Sequence, residues 1–539
     1  MNALRNSKIG AAIVKRYYLL TCALMWLSFP TYDVWFLKAF PAFAWFAFVP
    51  LIVYVRDREP REVFRASLVT GIFGITLLYN WIGQFGSKVP GGYIVILSVL
   101  MPVLALIFTS KIWLAEMLAR RFPALRWAIL PALWVVVDGI QSVGHLAFPW
   151  TYWGHSQYTF TSFIQISAVT GIFGITFLVI AANTAIADLV TVLGKHGWRF
   201  REQVRSAEYV CVAVIAAIVL LSCAWGALRV HVPGDGDRDK IRVAMVQTCI
   251  DPWEEWHLNR FDYLRELKRW SMRAIEEKPD LLVWSESATL ELISYNFAMN
   301  RLNPFEKEVL SLAKKSGTPL VTGEIGVLDD VVNRTMHFQN NAALIGAEGT
   351  VLQTYSKIHL VPFGEWFPYE ALFPWIKQIS NDFGGSNFVP GYAPVVFGAV
   401  GKKFAPLICY EGIFFRLCRE YRRRGADFFV NIINLGWTDT YRGHMQGFAC
   451  ATFRSVENGI WFVSAGNSGL TAVVDPFGRI TASIPLMEPG FLVADMDFSM
   501  NRDTMYSRVG DIVLYLSLLL IVLLLALVCV QRLRARGSA

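Results

Sequence analysis

Apolar and polar positions divide the chain into two regimes. Eight runs are apolar over a length able to cross a hydrocarbon core, which takes roughly 20 residues. They fall at about 14–30, 36–55, 66–86, 92–117, 125–142, 162–192, 207–229 and 510–530. Pro41 and Pro50 interrupt the second run and blur its limits. Between the seventh and eighth runs the pattern changes. After the Gly- and Asp-rich linker Val232–Asp239, short apolar stretches alternate with amphipathic ones. Strands are predicted at 241–248, 281–285, 319–324, 341–346, 351–355, 395–398, 404–409, 427–432, 460–464 and 471–474. Helices are predicted at about 256–276, 304–316, 412–424 and 443–458. Such mixing argues for a layered α/β domain.

The expected organisation follows: a seven-helix membrane region over 1–229, a linker over 230–239, an α/β domain over 240–508, and a last membrane helix with a basic tail over 509–539. The first run is followed at once by another apolar run, so it reads as an insertion helix rather than a cleaved signal. Charge predicts the orientation. Arg5, Lys8, Lys15 and Arg16, the Arg56–Arg65 group, Arg120, Arg121 and Arg126, the Lys195–Arg205 group and Arg532, Arg534 and Arg536 lie on one set of alternate segments. That is eighteen basic residues, against Lys38 and Lys88 alone on the opposite short segments. By the positive-inside rule both termini are cytoplasmic and residues 230–508 face outward. The formal charge of +8 therefore reads as topology, since no basic stripe suited to nucleic acid is present. The octapeptide Val69–Thr76 recurs at Val169–Thr176, as a duplicated helix unit or as coincident small-residue packing.

Eight cysteines are split between apolar runs and the α/β domain, with no zinc or CxxC spacing, and eight scattered histidines form no ligand set. No metal or diffusible cofactor is implied. Cys409 ends an apolar run, with Glu411 two residues later. A disulfide is the ordinary fate of an extracytoplasmic cysteine. With Glu286 and Lys357, each at or just after a predicted strand, Cys409 also makes a set suited to thiol acyl chemistry. A partly desolvated Glu286 can take the thiol proton, and Lys357 supplies fixed positive charge for a tetrahedral intermediate. The backbone N–H of Tyr410 is a natural oxyanion donor. Glu411 can orient Lys357 or hold the turn. The aromatic stretch 361–394 reads either as core or as a lid lying against a bilayer surface.

The set Val246-Gln247, Trp284-Ser285-Glu286-Ser287-Ala288, Tyr355–Glu365 and Leu407-Ile408-Cys409-Tyr410-Glu411 resembles the nitrilase (carbon–nitrogen hydrolase) superfamily. With the multi-helix region, the string Lys357–Glu365 resembles the apolipoprotein N-acyltransferase family, over nearly the whole chain. The resemblance implies a nitrilase-like αββα sandwich carried by a membrane bundle. It implies Glu286 as general base, Lys357 as catalytic lysine and Cys409 as nucleophile. It also implies supporting or substrate-binding places for Glu365, Tyr410, Glu411, Trp256 and Trp437. The implied reaction is transfer of an acyl chain from a membrane phospholipid to the amine of a diacylglyceryl-modified apolipoprotein, in a bacterial inner membrane. Phe148–Trp150 with Gly154–Gln157 resembles an outward family signature, Trp150 being an interfacial anchor or a substrate contact. Ser285 and Leu435 depart from the family pattern, and His359 is expected to be structural. The alternatives are a membrane-tethered amidase or nitrilase, which would use water as acceptor, and a non-enzymatic transporter or receptor. For the latter, Asp138 and Asn80 form no evident pathway.

Overall fold

A computed structural model describes residues 8–30, 41–87, 90–196, 207–231, 239–252, 254–330, 335–367, 387–438 and 440–537. The chain forms two compact units, 1–83 with 91–231 and 509–539, and 84–90 with 232–508.

Among the described residues, six helices are long and apolar enough to cross a membrane: Pro60–Gly86, Gly92–Ala119, Pro123–Gln141, Ser167–Leu193, Glu208–Val230 and Ile512–Arg534. They correspond to the third to eighth predicted runs. The first run lies in helix Lys8–Leu27, whose backbone breaks at Arg16. The second departs from expectation. Its described part is a 3-10 turn, Pro41–Trp45, and a short helix, Val49–Val55. Pro41 and Pro50 each remove a backbone donor, which favours helix starts over one continuous helix.

The two copies of the octapeptide fold differently. Val69–Thr76 lies in an unbroken helix, with Gly71 so close to Ala105 and Phe108 that a Cβ would stand 3.0–3.1 Å from them. In the second copy Gly171 takes φ +63° and ψ −175° and breaks the helix Ser167–His196. Two ion pairs tie helices of the first unit together. Lys111 binds Asp138 beneath the Trp134 ring, and Arg56 binds Asp188. Trp150 is buried, stacked on Phe148 at 9° between planes, so it is not an exposed anchor.

The second unit is a sandwich of two six-stranded sheets. The strands are β1 (Lys240–Gln247), β2 (Leu281–Val283), β3 (Leu320–Asp330), β4 (Thr335–Ile345), β5 (Val351–Ser356), β6 (Phe397–Ala399), β7 (Lys402–Ile408), β8 (Phe428–Ile433), β9 (Trp461–Gly466), β10 (Ala472–Val474), β11 (Ile480–Ser483) and β12 (Gly490–Asp497). One sheet runs β12-β1-β2-β3-β4-β5 and the other β11-β10-β9-β8-β7-β6. The centre of each is parallel, β1-β2-β3 and β7-β8-β9, so the carboxyl ends of these strands share one edge of their sheet. Glu286 and Cys409 both follow such ends.

Two helices, α1 (Trp256–Ile275) and α2 (Pro304–Ser316), pack on the first sheet around Trp284, Phe305, Val309 and Leu320. Helix α2 begins with a capping box in which Asn303 and Glu306 satisfy each other's backbone N–H groups, and it ends at Gly317 with φ +65°. Helices α3 (Phe415–Arg423) and α4 (Tyr441–Asn458) serve the second sheet. Arg454 and Glu457 of α4 form an i,i+3 ion pair, 3.1 Å apart and fully buried.

The predicted strands and helices of this unit correspond to observed elements, but the short helix Ile293–Ala298 was not predicted. Strands β11 and β12 were not anticipated, and β3 and β4 are longer than their apolar cores, extending as a polar-edged hairpin. Phe305 is fully buried, with the Trp256 and Phe261 rings edge-on to it. Phe305→Ala should cost about 3–5 kcal/mol. Scanning fluorimetry of detergent-solubilised protein should show the unfolding midpoint lowered by roughly 10 °C.

Candidate active site

Strand β2 ends at Val283, and the chain turns at once through Trp284-Ser285-Glu286. Ser287 holds φ +53°, and Thr289 donates its hydroxyl and N–H to the Gly323 carbonyl. Gly323 on β3 is what lets this turn sit down. A Cβ there would stand 2.5 Å from Ser287 N and 3.0 Å from Glu286 Cα. The Glu286 carboxylate is thereby placed inside the sandwich, 5% exposed.

Lys357 follows β5. Its backbone is held on both sides, its N–H donating to Asn340 O and its carbonyl accepting from Gly391 N. The side chain is buried, and Nζ donates to Glu286 Oε1 at 3.1 Å and to Glu365 Oε1 at 2.8 Å. Asn340 on β4 repeats this bridge, with Nδ2 2.9 Å from Glu286 Oε1 and 2.8 Å from Glu365 Oε1. The remaining oxygens take backbone donors. Asn434 N–H reaches Glu286 Oε2 at 2.9 Å, and Val361 N–H reaches Glu365 Oε2 at 2.8 Å. Two carboxylates thus share one ammonium and one amide, and each is closed by a main-chain N–H. Burial alone would depress the Lys357 ammonium, but Glu286 and Glu365 outweigh it and hold the group well above the usual lysine range.

Cys409 is the first residue past β7. It has φ +52° and opens the 3-10 turn Cys409–Ile413. Glu411 secures the turn: its Oε1 accepts from Tyr355 Oη at 2.6 Å, Ile358 N at 2.7 Å and His359 N at 3.2 Å, and its Oε2 accepts from Ile408 N at 3.0 Å. Burial pushes the Glu411 carboxyl up to about 7 against these hydrogen bonds. Asn431 on β8 donates to the Cys409 carbonyl at 3.3 Å. The half-buried Cys409 thiol lies within electrostatic reach of Glu286, Lys357 and Glu365. Desolvation raises its pKa well above the usual thiol range, Glu286 and Glu365 add to this, and Lys357 opposes them. At neutral pH the resting thiol is therefore protonated, with a carboxylate in place to receive its proton.

The structure brings together Glu286, Lys357, Cys409 and Glu365. Glu411 holds the nucleophile's turn, and the lysine is oriented by Glu365 and Glu286 instead. The Tyr410 ring is buried, edge-on to Phe414. His359 stacks on Phe414 at 3.9 Å, and burial pulls its ring down to about 4, so it stays neutral. Trp437 lies half-buried in the turn after β8. Trp256 stands apart from the cluster in its described contacts, its indole N–H donating to Glu291 at 3.2 Å and its ring packing on Phe305. Of the aromatic stretch, 368–386 lies outside the described residues. Phe367 is buried, and Phe363 and Tyr392 are exposed. No disulfide is formed among the eight cysteines, all of which lie in the described residues. Sequence reasoning missed Asn340. Its one available signal was a pair of amides, Asn340-Asn341, at the start of an otherwise apolar strand core.

A Glu–Lys–Cys cluster at the strand ends of a doubled α/β sandwich defines a carbon–nitrogen hydrolase domain, here joined to a helical membrane unit. Residues 242–506 match the family Carbon-nitrogen hydrolase, and 21–185 match the Apolipoprotein N-acyltransferase N-terminal domain. The chain belongs to the apolipoprotein N-acyltransferase family. An apolipoprotein N-acyltransferase from Geobacter metallireducens is 30% identical, over 93% of each chain. Apolipoprotein N-acyltransferase 1 of Treponema denticola is 26% identical, over 96% of this chain and 97% of that protein. A solved amidase of the nitrilase superfamily from Nesterenkonia is 22% identical, covering 51% of this chain and 97% of its own, with a TM-score of 0.38.

Asn340→Leu keeps the volume and removes both donated bonds. A hydrogen bond to a charged group is worth about 1.5–3 kcal/mol, so turnover should fall roughly ten- to a hundredfold. Losing a donor to a carboxylate raises its pKa. The acidic limb of the rate–pH profile should therefore move to higher pH, which steady-state rates from acid to neutral pH will show.

Proposed function

We propose that this chain moves a fatty acyl group from a membrane phospholipid to the free α-amine of a lipid-modified apolipoprotein cysteine, through a thioester on Cys409. The observation that carries the reading is the buried Lys357 ammonium, 3.1 Å from Glu286 and 2.8 Å from Glu365, with the Cys409 thiol within electrostatic reach of all three. Glu286 takes the thiol proton as sulfur adds to the ester carbonyl. Charge on the tetrahedral oxygen meets Lys357 and the Tyr410 N–H. The ester C–O bond breaks, Glu286 returns its proton to the leaving alkoxide, and a lysophospholipid departs. In the second half-reaction the amine adds to the thioester and passes its proton to Glu286. The C–S bond then breaks, leaving an amide and the cysteine, which recovers the proton. Glu365 holds the lysine and shares the charge balance with Glu286.

Fewer observations support the finer placement. The basic residues on alternate segments favour cytoplasmic termini and an outward catalytic domain in a bacterial inner membrane. Both substrates carry lipid, so the membrane confines them together and raises their effective concentration. Trp437, half-buried in the turn after β8, is placed to contact substrate, whereas the role of Trp256 rests on the family resemblance alone.

The test is intact-mass analysis of purified protein after incubation with phospholipid. An acyl adduct on Cys409, labile to hydroxylamine and discharged by a diacylated lipopeptide, is expected. Cys409→Ser should form no thioester and should insert into membranes normally. An adduct discharged equally fast by water alone would indicate a hydrolase and contradict the transferase reading.

A further inference from the structure

We propose that Asn467 is a positioning residue for the base. It acts as a clamp that joins the two sheets at their carboxyl ends and keeps the Asn434 N–H on Glu286. Asn467 follows β9 directly and is 4% exposed. Its side chain is saturated with hydrogen bonds. Nδ2 donates to Ile250 O at 2.7 Å and to Asn434 Oδ1 at 3.2 Å. Oδ1 accepts from Thr248 Oγ1 at 3.0 Å and from Ile250 N at 3.1 Å. Its backbone is used as well, the N–H donating to Ile433 O at 2.9 Å and the carbonyl accepting from Cys249 N at 2.8 Å.

These partners come from both sheets. Thr248, Cys249 and Ile250 form the loop leaving β1, whereas Ile433 and Asn434 leave β8. One amide therefore links the loop leaving β1 to the turn leaving β8 that meets the Glu286 carboxylate. The Asn434 amide oxygen also accepts from Gly436 N at 3.2 Å, so the turn beyond β8 is wound around the group that Asn467 holds. The N–H of that same Asn434 closes Glu286 Oε2 at 2.9 Å. Space is tight as well, since a Cβ on Gly436 would come within 2.9 Å of Pro252 in the opposing loop. If the clamp opens, the Asn434 N–H withdraws and Glu286 loses a donor that stabilises its charged form. Asn467 touches neither the thiol nor a reacting atom, so its effect is confined to the protonation and placement of Glu286.

The inference rests on Glu286 being the base, and the test separates the two ideas. The rate at which iodoacetamide alkylates Cys409 is followed against pH in the full-length, detergent-solubilised protein, the site being mapped by peptide mass. This reading does not depend on which acyl donor or acceptor the enzyme uses. In the wild type, alkylation should fall as Glu286 protonates, and Glu286→Gln should remove that limb. Asn467→Asp is nearly isosteric, so it preserves packing. It keeps the oxygen that Thr248 and Ile250 use but loses both donated bonds. Its limb should move up by about half a pH unit or more, as should that of Asn467→Ala. Thr248→Val, which loosens the clamp only at its far end, should leave the limb in place. A limb that Glu286→Gln removes but Asn467→Asp leaves at its wild-type pH overturns the clamp alone. A limb that survives Glu286→Gln overturns the base assignment, and the clamp with it.

Discussion

One buried ammonium governs the geometry of this site. Lys357 Nζ lies between Glu286 and Glu365, and without it two carboxylates would face each other away from water. Two such groups do not both stay ionised at close range. Breaking a buried ion pair by removing one partner typically costs about 3–5 kcal/mol. The fold supplies what the arrangement needs. β4 brings the Asn340 amide as a second bridge, the loop after β5 brings the Val361 N–H, and the turn after β8 brings the Asn434 N–H. No single strand or helix could present all of these. The base comes from one sheet and the thiol from the other, which is why the chemistry lies where parallel strands of both sheets end.

The nucleophile's turn meets the same demand from the other side. Cys409 stands at φ +52°, a conformation that side-chain-bearing residues adopt at some cost and that persists when its surroundings over-determine it. Glu411 provides the determination, drawing donors from β7, from Tyr355 on β5 and from the backbone just after Lys357. One carboxylate thereby fixes the cysteine relative to the lysine without touching either side chain. Because burial and the two carboxylates keep the thiol protonated at rest, its nucleophilicity appears only when Glu286 accepts the proton. A thiol held in that form is also slow in disulfide exchange, which requires thiolate.

What the sequence disclosed and what it hid follow from the range of the interactions. Strand ends carrying Glu286, Lys357 and Cys409 were legible because short strand-forming stretches, Leu281–Val283, Val351–Ser356 and Lys402–Ile408, stop just before them. Asn340 and Asn467 were not. Each acts through partners distant in sequence, up to 219 residues away for Asn467, and a buried amide in a strand or turn has no local signature. The octapeptide at 69 and 169 makes the same point, since identical letters give a continuous helix in one place and a break at Gly171 in the other. Strand β12 was missed because half-exposed residues run along most of its length, and its register is set by antiparallel pairing with β1 rather than by its own alternation. Trp256 was placed by resemblance, and its indole engages Glu291 at the start of α1. The interrupted second apolar run shows that hydropathy measures length in residues but not continuity of the helix.

The central claim is that the Lys357 ammonium is what lets Glu286 and Glu365 stand together in a buried site. Infrared difference spectroscopy between the wild type and Lys357→Met at neutral pH tests this most directly, with Glu365→Gln in the same background to assign the signal. Lys357→Met should gain the C=O stretch of one further neutral carboxyl group over the wild-type spectrum, and replacing Glu365 as well should remove or shift that gain. A Lys357→Met spectrum showing no gain of neutral carboxyl would mean that both groups remain charged without the ammonium, and would contradict it.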